Sequence, residues 1–268
     1  MNPIRANSSV TNDLDKDTND SSNSARVELT APKRRSEQTV TYQDSSYQDA
    51  ASQDAASQDD AQQAHVDFAG ARAYALARLE AELPPQFGYH SLEHTRDNVY
   101  PTALRIATLE GVSDHDLLLV KTAAFYHDLG FTAPPYNSLD HEVRGAHIAA
   151  TILPDYGYDE ASIHTIQGMI QATKLPQQPH NLLENIMADA DLSVLGQLDF
   201  LVQNKALRAE LESSGLDTDN QRWLTGQYHF LTQHRYYTTA AKQLLCAQKA
   251  VNLAALRTLL TDLDAPPT

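Results

Sequence analysis

From residue 65 onwards, apolar residues recur at intervals of three and four, and the alternation typical of a strand is nearly absent. This spacing indicates helices that each bury one face. About 200 residues are long enough to bury a sizeable core. Residues 65–268 are therefore predicted to form one all-α helical bundle, and Pro101 predicts a kink or break in its second helix. Between the prolines and glycines, the predicted helices cover about 65–82, 90–111, 114–129, 138–153, 159–175, 181–195, 197–213, 218–234 and 238–264.

Residues 1–64 have a different composition, rich in Ser, Asp, Asn, Gln and Thr and almost free of large aliphatic residues. A Gln-Asp pair recurs every five residues from Gln43-Asp44 to Gln58-Asp59. Five residues match neither the helical nor the strand period, and these side chains cannot bury enough apolar area to offset chain entropy. The segment is predicted to be a disordered, low-complexity tail, and a role in binding a partner remains an alternative.

The charge balance excludes two classes of partner. The chain has 35 Asp and Glu against 20 Lys and Arg, a net charge of -15, whereas binders of nucleic-acid polymers or anionic membranes need a basic face.

Cys246 is the single cysteine, which excludes an intramolecular disulfide and fits a reducing compartment. No stretch approaches the roughly 18 apolar residues of a membrane span, and no apolar segment of a secretory signal follows Met1. We expect a soluble, cytoplasmic protein.

Two histidines mark the start of the second predicted helix, in Tyr89-His90-Ser91-Leu92-Glu93-His94. His90 and His94 are four residues apart, so their rings project from one face and can share a site. Neutral imidazole is a good ligand for Zn, Mn, Fe or Ni. The alternative is a pair of surface histidines on the first turn of a helix.

A histidine and an aspartate follow the apolar run of the third predicted helix, at His127-Asp128. A carboxylate there meets the negative end of the helix dipole, and a bound cation would remove that conflict. The alternative is a C-terminal turn in which His127 contacts free carbonyl groups. Further along, Asp189 and Asp191 lie within an apolar helix, two residues apart, so only one of them is expected to face a given site unless both are solvated.

The order His94, His127-Asp128 and Asp191 resembles the HD superfamily of metal-dependent phosphohydrolases, whose pattern is His…His-Asp…Asp on an all-α bundle. The motifs span residues 86–196, and a second pattern between residues 223 and 253 is similar to that of bacterial members. The resemblance implies an HD-domain helical bundle after the disordered tail. It also implies one divalent metal ion (Mn, Zn, Fe, Ni, Co or Mg), held by His94, His127, Asp128 and Asp191.

The resemblance also implies roles for the neighbouring residues. Ala190-Asp191-Leu192 matches the closing motif of the superfamily, so Asp189 is expected to orient a ligand histidine or a water. The motif at residues 89–94 is similar to the opening motif of cyclic-nucleotide phosphodiesterases, which implies His90 as the general acid. Asp128 is expected to act in catalysis as well as in metal binding, with a metal-activated water as the nucleophile. Glu93 or Glu142 could steady that water.

A second metal is less favoured by the sequence. Binuclear members of the superfamily add two histidines before the last aspartate. His141 could be one of them, but residues 169–174 contain no histidine where the other is expected. Lys174 and Arg235 are the predicted contacts of the substrate phosphate, although each could simply be a solvated cation.

The function predicted from these patterns is hydrolysis of a small phosphate ester, with a nucleotide as the expected class, as a phosphomonoester or a cyclic or other phosphodiester. Two alternatives remain open at this point. One is a non-catalytic, metal-stabilised module that binds a nucleotide or a protein. The other is a di-iron oxygenase on an HD-type fold.

Overall fold

A computed structural model describes residues 66–216 and 219–264 of the chain. Within these ranges there are nine α-helices and no strand, which confirms the all-α prediction. The predicted tail, residues 1–64, lies outside the described residues. The α-helices are α1 (Phe68–Glu82), α2 (Tyr100–Glu110), α3 (Asp114–Tyr126), α4 (His141–Ile152), α5 (Glu160–Gln171), α6 (Leu182–Asp191), α7 (Phe200–Ser213), α8 (Asn220–Gln233) and α9 (Thr239–Asp264).

Four short helical turns connect these helices. A π-helical turn, His94–Val99, leads directly into α2. Turns of 3-10 helix cover Leu129–Thr132, Leu153–Tyr156 and Leu192–Gly196. The expected break in the second helix therefore occurs just before Pro101, which occupies the first turn of α2, where its missing N–H group is not needed.

Local capping accounts for several helix boundaries. Ser113 caps α3 as predicted, because its side chain accepts a hydrogen bond from Asp116 N. Gly111 ends α2 in a left-handed conformation with φ of 71°. The fourth helix begins at His141 rather than near residue 138, because Asp140 also has a left-handed backbone, with φ of 54°. That turn places His141 at the first position of α4.

The helices pack around two apolar clusters. The larger one lies among α1 to α6 and the first part of α9, and it includes Val99, Phe125 and Ile166. The smaller one joins the Leu192–Gly196 turn to α7, α8 and α9, around residues such as Trp223 and Leu256. None of the described helices is both long enough and apolar enough to cross a bilayer.

Candidate metal centre

Four side chains from separate parts of the sequence converge at one point in the bundle. His94 comes from the π-helical turn, His127 and Asp128 follow α3, and Asp191 ends α6. His94 Nε2 lies 3.6 Å from Asp191 Oδ1 and 3.7 Å from Asp128 Oδ2. His127 Nε2 lies 3.2 Å from Asp128 Oδ2 and 3.6 Å from Asp191 Oδ1. The structure thus brings together all four residues that the sequence pattern selected.

Three of the converging atoms have no hydrogen-bond partner among the described residues. These are His94 Nε2, His127 Nε2 and Asp128 Oδ2, and all three are buried. A buried polar atom without a partner is costly, and such atoms are rare in native proteins. The ligand atoms of His94, His127 and Asp128 all lie within 4.8 Å of one another. Two imidazole nitrogens and carboxylate oxygens at this spacing fit a divalent cation.

A hydrogen bond to the backbone fixes the orientation of the His127 ring. Its Nδ1 donates to Ala124 O at 2.9 Å, so Nε2 is the ring nitrogen that faces the cluster. Without a cation, burial opposes the charged form of His127, but the neighbouring carboxylate of Asp128 outweighs this and raises the pKa to about 9. A cation bound at this point would take the place of that proton.

His90 lies beside the cluster and has a partner that sequence analysis did not identify. Its Nδ1 donates to Glu210 Oε1 at 2.5 Å. Glu210 Oε2 also accepts from the backbone N–H groups of Tyr89 and His90, at 2.9 and 3.0 Å. Burial alone would lower the pKa of His90, but the hydrogen bond to Glu210 and the charge of Asp128 raise it above the ordinary value. Glu210 lies in α7, and no local pattern in the sequence marks it.

His141 and Glu142 border the cluster on the side of Asp128. His141 Nε2 lies 3.8 Å from Asp128 Oδ1, and its Nδ1 donates to Ser138 O at 2.8 Å. Glu142 is buried, and its Oε2 has no hydrogen-bond partner among the described residues. The aromatic ring of Phe131 packs against both His141 and His90, with centroids 4.1 and 4.5 Å away.

Gly130 allows the Leu129–Thr132 turn to approach the start of α4 closely. A Cβ atom at this position would lie 1.8 Å from His141 O and 2.6 Å from His141 C, which is sterically impossible without a backbone shift. The absence of a side chain therefore lets the Leu129–Thr132 turn cross the start of α4. This crossing holds His141 next to Asp128.

Three other predicted site residues have different surroundings. The carboxylate of Asp189 turns away from the cluster and accepts from Tyr237 N and Thr238 N, each at 2.8 Å. Arg235 is exposed, and it donates to the carbonyl oxygens of Thr232 and His234 rather than lining the cavity. Lys174 does border the cavity, where its Nζ pairs with Asp140 Oδ1 at 2.5 Å.

A cavity of about 520 Å³ opens onto the cluster. Its polar end is lined by His90, Asp128, His141, Glu142 and Asp191, and its other end by apolar side chains of α7 and α8. A pocket of this size accommodates a small organic molecule.

No family model matches the chain, and no curated protein matches its sequence. Solved structures do share its fold. One is that of a predicted HD superfamily hydrolase from an uncultured Thermotogales bacterium, with a TM-score of 0.50 and 17% identity, covering 71% of this chain and 91% of that one. This chain shares the fold of that protein.

A second structure, of a protein from Lactobacillus plantarum, has a TM-score of 0.55 and 15% identity and covers 74% of this chain and 97% of that one. At these identities the likeness concerns the fold. It confirms the predicted all-α helical bundle. The buried cluster of His94, His127 and Asp128 has the spacing of a metal site.

Proposed function

We propose that this protein is a metal-dependent phosphohydrolase that cleaves a small phosphate ester. The observation that carries the proposal is the convergence of His94 Nε2, His127 Nε2, Asp128 Oδ2 and Asp191 Oδ1, three of them buried without a partner among the described residues. These four residues would hold one divalent ion. The solved structure that shares the fold is that of a predicted HD superfamily hydrolase, which supports a hydrolytic reaction.

Each side chain around the cluster has a distinct task in this proposal. When bound, a divalent ion supplies Lewis-acid activation of a water molecule and of the phosphoryl group. In its charged form His90 holds a proton on Nε2 for the leaving oxygen, and the Glu210 carboxylate, which accepts from Nδ1, favours that charged form. Glu142 orients water through Oε2, which lies 3.5 Å from His141 Nδ1 but has no hydrogen-bond partner among the described residues. Lys174 lies at the rim, where it can exchange its contact with Asp140 for a phosphate oxygen.

Nucleotides are the substrate class that we propose within this reaction. The support for this class is the resemblance of residues 89–94 to the opening motif of cyclic-nucleotide phosphodiesterases, together with a cavity large enough for one nucleotide. The location of His141 beside Asp128 extends the polar surface that faces a phosphate group.

The experiment uses the full chain, stripped of metal by a chelator and reloaded separately with Mn, Co, Ni, Zn, Fe or Mg. Each form is assayed on nucleoside monophosphates, cyclic nucleotides, p-nitrophenyl phosphate and its bis-ester. We expect turnover with at least one metal, and loss of both metal binding and turnover in His127→Ala. His164→Ala is the matched control, since His164 is exposed on α5 and should leave both unchanged.

Other results would contradict the proposal. A protein that binds metal and gains thermal stability from it, yet turns over no ester on the panel, would be a non-catalytic metal-stabilised module. Two bound irons with a visible absorption band, again without ester hydrolysis, would indicate the oxygenase alternative.

A further inference from the structure

The cavity beside the metal centre continues into a region without charge. We call this region the apolar chamber; it lies between the Leu192–Gly196 turn, α7 and α8. Its wall includes Val194, Leu195, Phe200, Leu207, Trp223 and Phe230. No charged side chain from these three elements is among the described residues that line the cavity. A charged group placed in the chamber would lose its hydration without gaining a partner.

Two amide side chains form the polar feature of the chamber, and their orientation is fixed. The indole of Trp223 donates from Nε1 to Asn204 Oδ1 at 2.8 Å, and Asn204 Nδ2 donates to Gln227 Oε1 at 2.6 Å. An indole N–H can only donate, so the direction of both hydrogen bonds follows from it. Gln227 therefore presents Nε2 as its free group. In the described part of the chain this N–H donor has no partner, and Gln227 lines the cavity.

The polar end of the cavity limits the charge that a ligand can carry. Lys174 is the one lysine or arginine among the described lining residues, and it already pairs with Asp140. Asp128, Glu142 and Asp191 add negative charge to the same end. A single phosphate can be balanced by a bound divalent ion and Lys174, whereas a chain of phosphates would meet carboxylates or the apolar chamber.

We propose, building on the function proposed above, that the substrate is a monophosphate ester whose organic group carries an uncharged ring with a hydrogen-bond acceptor, as a nucleobase does. The ring occupies the apolar chamber. Gln227 donates from Nε2 to the acceptor and thereby determines which organic group is preferred. Trp223 and Asn204 act as positioning residues, because they hold the Gln227 amide in this orientation.

The chamber can be tested by binding alone, since Trp223 is the single tryptophan of the chain and lies in its wall. The probes are methylphosphonate, phenylphosphonate and 4-acetylphenylphosphonate, which are not hydrolysed, added to the Mg-loaded protein while tryptophan fluorescence is recorded. We expect binding to tighten in that order, with a fluorescence change only for the two aryl probes. AMP should compete with the aryl probes better than ATP does.

The role of Gln227 has its own test. Gln227→Met keeps the length of the side chain but removes the donor, so affinity for the acetyl-bearing probe should fall by about three- to tenfold while that for phenylphosphonate stays unchanged. Gln233→Met, at an exposed position of the same helix, should leave both affinities as they are. Equal affinities for the three probes, tighter binding of ATP than of AMP, or an equal loss for both aryl probes in Gln227→Met would overturn the inference.

These binding results are independent of turnover. Selective aryl binding without hydrolysis of any ester would contradict the proposed function but support the assignment of the chamber. Hydrolysis of esters without selectivity for the organic group would support the proposed function but contradict the assignment of the chamber.

Discussion

Asp189 and Asp191 are two residues apart near the end of α6, and their carboxylates serve different parts of the molecule. Asp191 Oδ1 lies 3.6 Å from both His94 Nε2 and His127 Nε2, whereas Asp189 binds the backbone at the start of α9. The helical angle between positions two apart separates the two side chains. One turn of α6 thus contributes to the metal centre with one carboxylate and anchors the last helix with the other.

Substitution of each aspartate by asparagine should separate these two roles. Asp189→Asn replaces an acceptor of three hydrogen bonds, from Tyr237 N, Thr238 N and Thr238 Oγ1, and should lower the free energy of unfolding by about 2–3 kcal/mol while the metal is retained. Asp191→Asn should lower metal affinity by more than about 100-fold, with little change in the stability of the metal-free protein. Chemical denaturation and metal titration measure the two quantities. Loss of metal binding in Asp189→Asn with unchanged stability would contradict this division.

The four converging residues could be predicted because each belongs to a local motif, and the resemblance to the HD superfamily favoured Asp191 over Asp189. It also located most helices, since capping residues such as Ser113 and terminal glycines such as Gly111 act within a few positions of the chain. The partner of His90 could not be predicted in this way. Glu210 is 120 residues away, and its role depends on how α7 packs against the segment before the π-helical turn.

Packing between distant segments also explains why the contacts of Asp189 and Arg235 in the structure differ from their predicted roles. A carboxylate inside an apolar helix can face either a metal or the end of another helix, and the choice depends on where α9 lies. The start of α4 was predicted three residues too early, because the left-handed backbone of Asp140 is not indicated by its neighbours. The apolar chamber likewise requires the packing of α7 against α8.

Glu210→Gln should change the pH dependence of hydrolysis. A general acid is active while protonated, so activity falls as the pH rises through its pKa. Because the Glu210 carboxylate helps to raise the pKa of His90, its neutral replacement should move the alkaline limb of the kcat profile to lower pH. The measurement is kcat against pH at saturating substrate and metal. An alkaline limb that stays in place would show that His90 does not act as the acid.

Gly130→Ala should destabilise the protein strongly. The new Cβ would overlap His141 O and C, which are backbone atoms and cannot move away as a flexible side chain can. We expect a loss of at least about 3 kcal/mol in the free energy of unfolding. Gly226→Ala is the control, because that position in α8 has no neighbour within 4 Å, and alanine there should stabilise by about 0.5–1 kcal/mol. Similar effects of the two substitutions on urea denaturation would contradict the close crossing at Gly130.

The lowered pKa of His234 should make the protein less stable as the pH falls. Lys249 Nζ donates to His234 Nδ1 at 2.9 Å and to its carbonyl oxygen at 2.6 Å, so the ring is held neutral. Burial, and then the charges of Lys249 and Arg235, lower the pKa of His234 to about 4, compared with about 6.5 in the unfolded chain. Between these values the unfolded state binds more protons, so stability falls as the pH decreases from about 6.5 to about 4 and this contribution is fully lost below that.

His234→Gln keeps an acceptor for Lys249 but cannot be protonated. The free energy of unfolding of the variant should therefore fall less than that of the wild type as the pH decreases through this range. The difference between the two free energies should shift in favour of the variant. Urea denaturation of the metal-free proteins at intervals between pH 7 and pH 4 measures this difference and cancels the titration of all other groups. A constant difference across the range would mean that His234 is protonated as easily in the folded protein as in the unfolded chain, and that Lys249 does not hold it neutral.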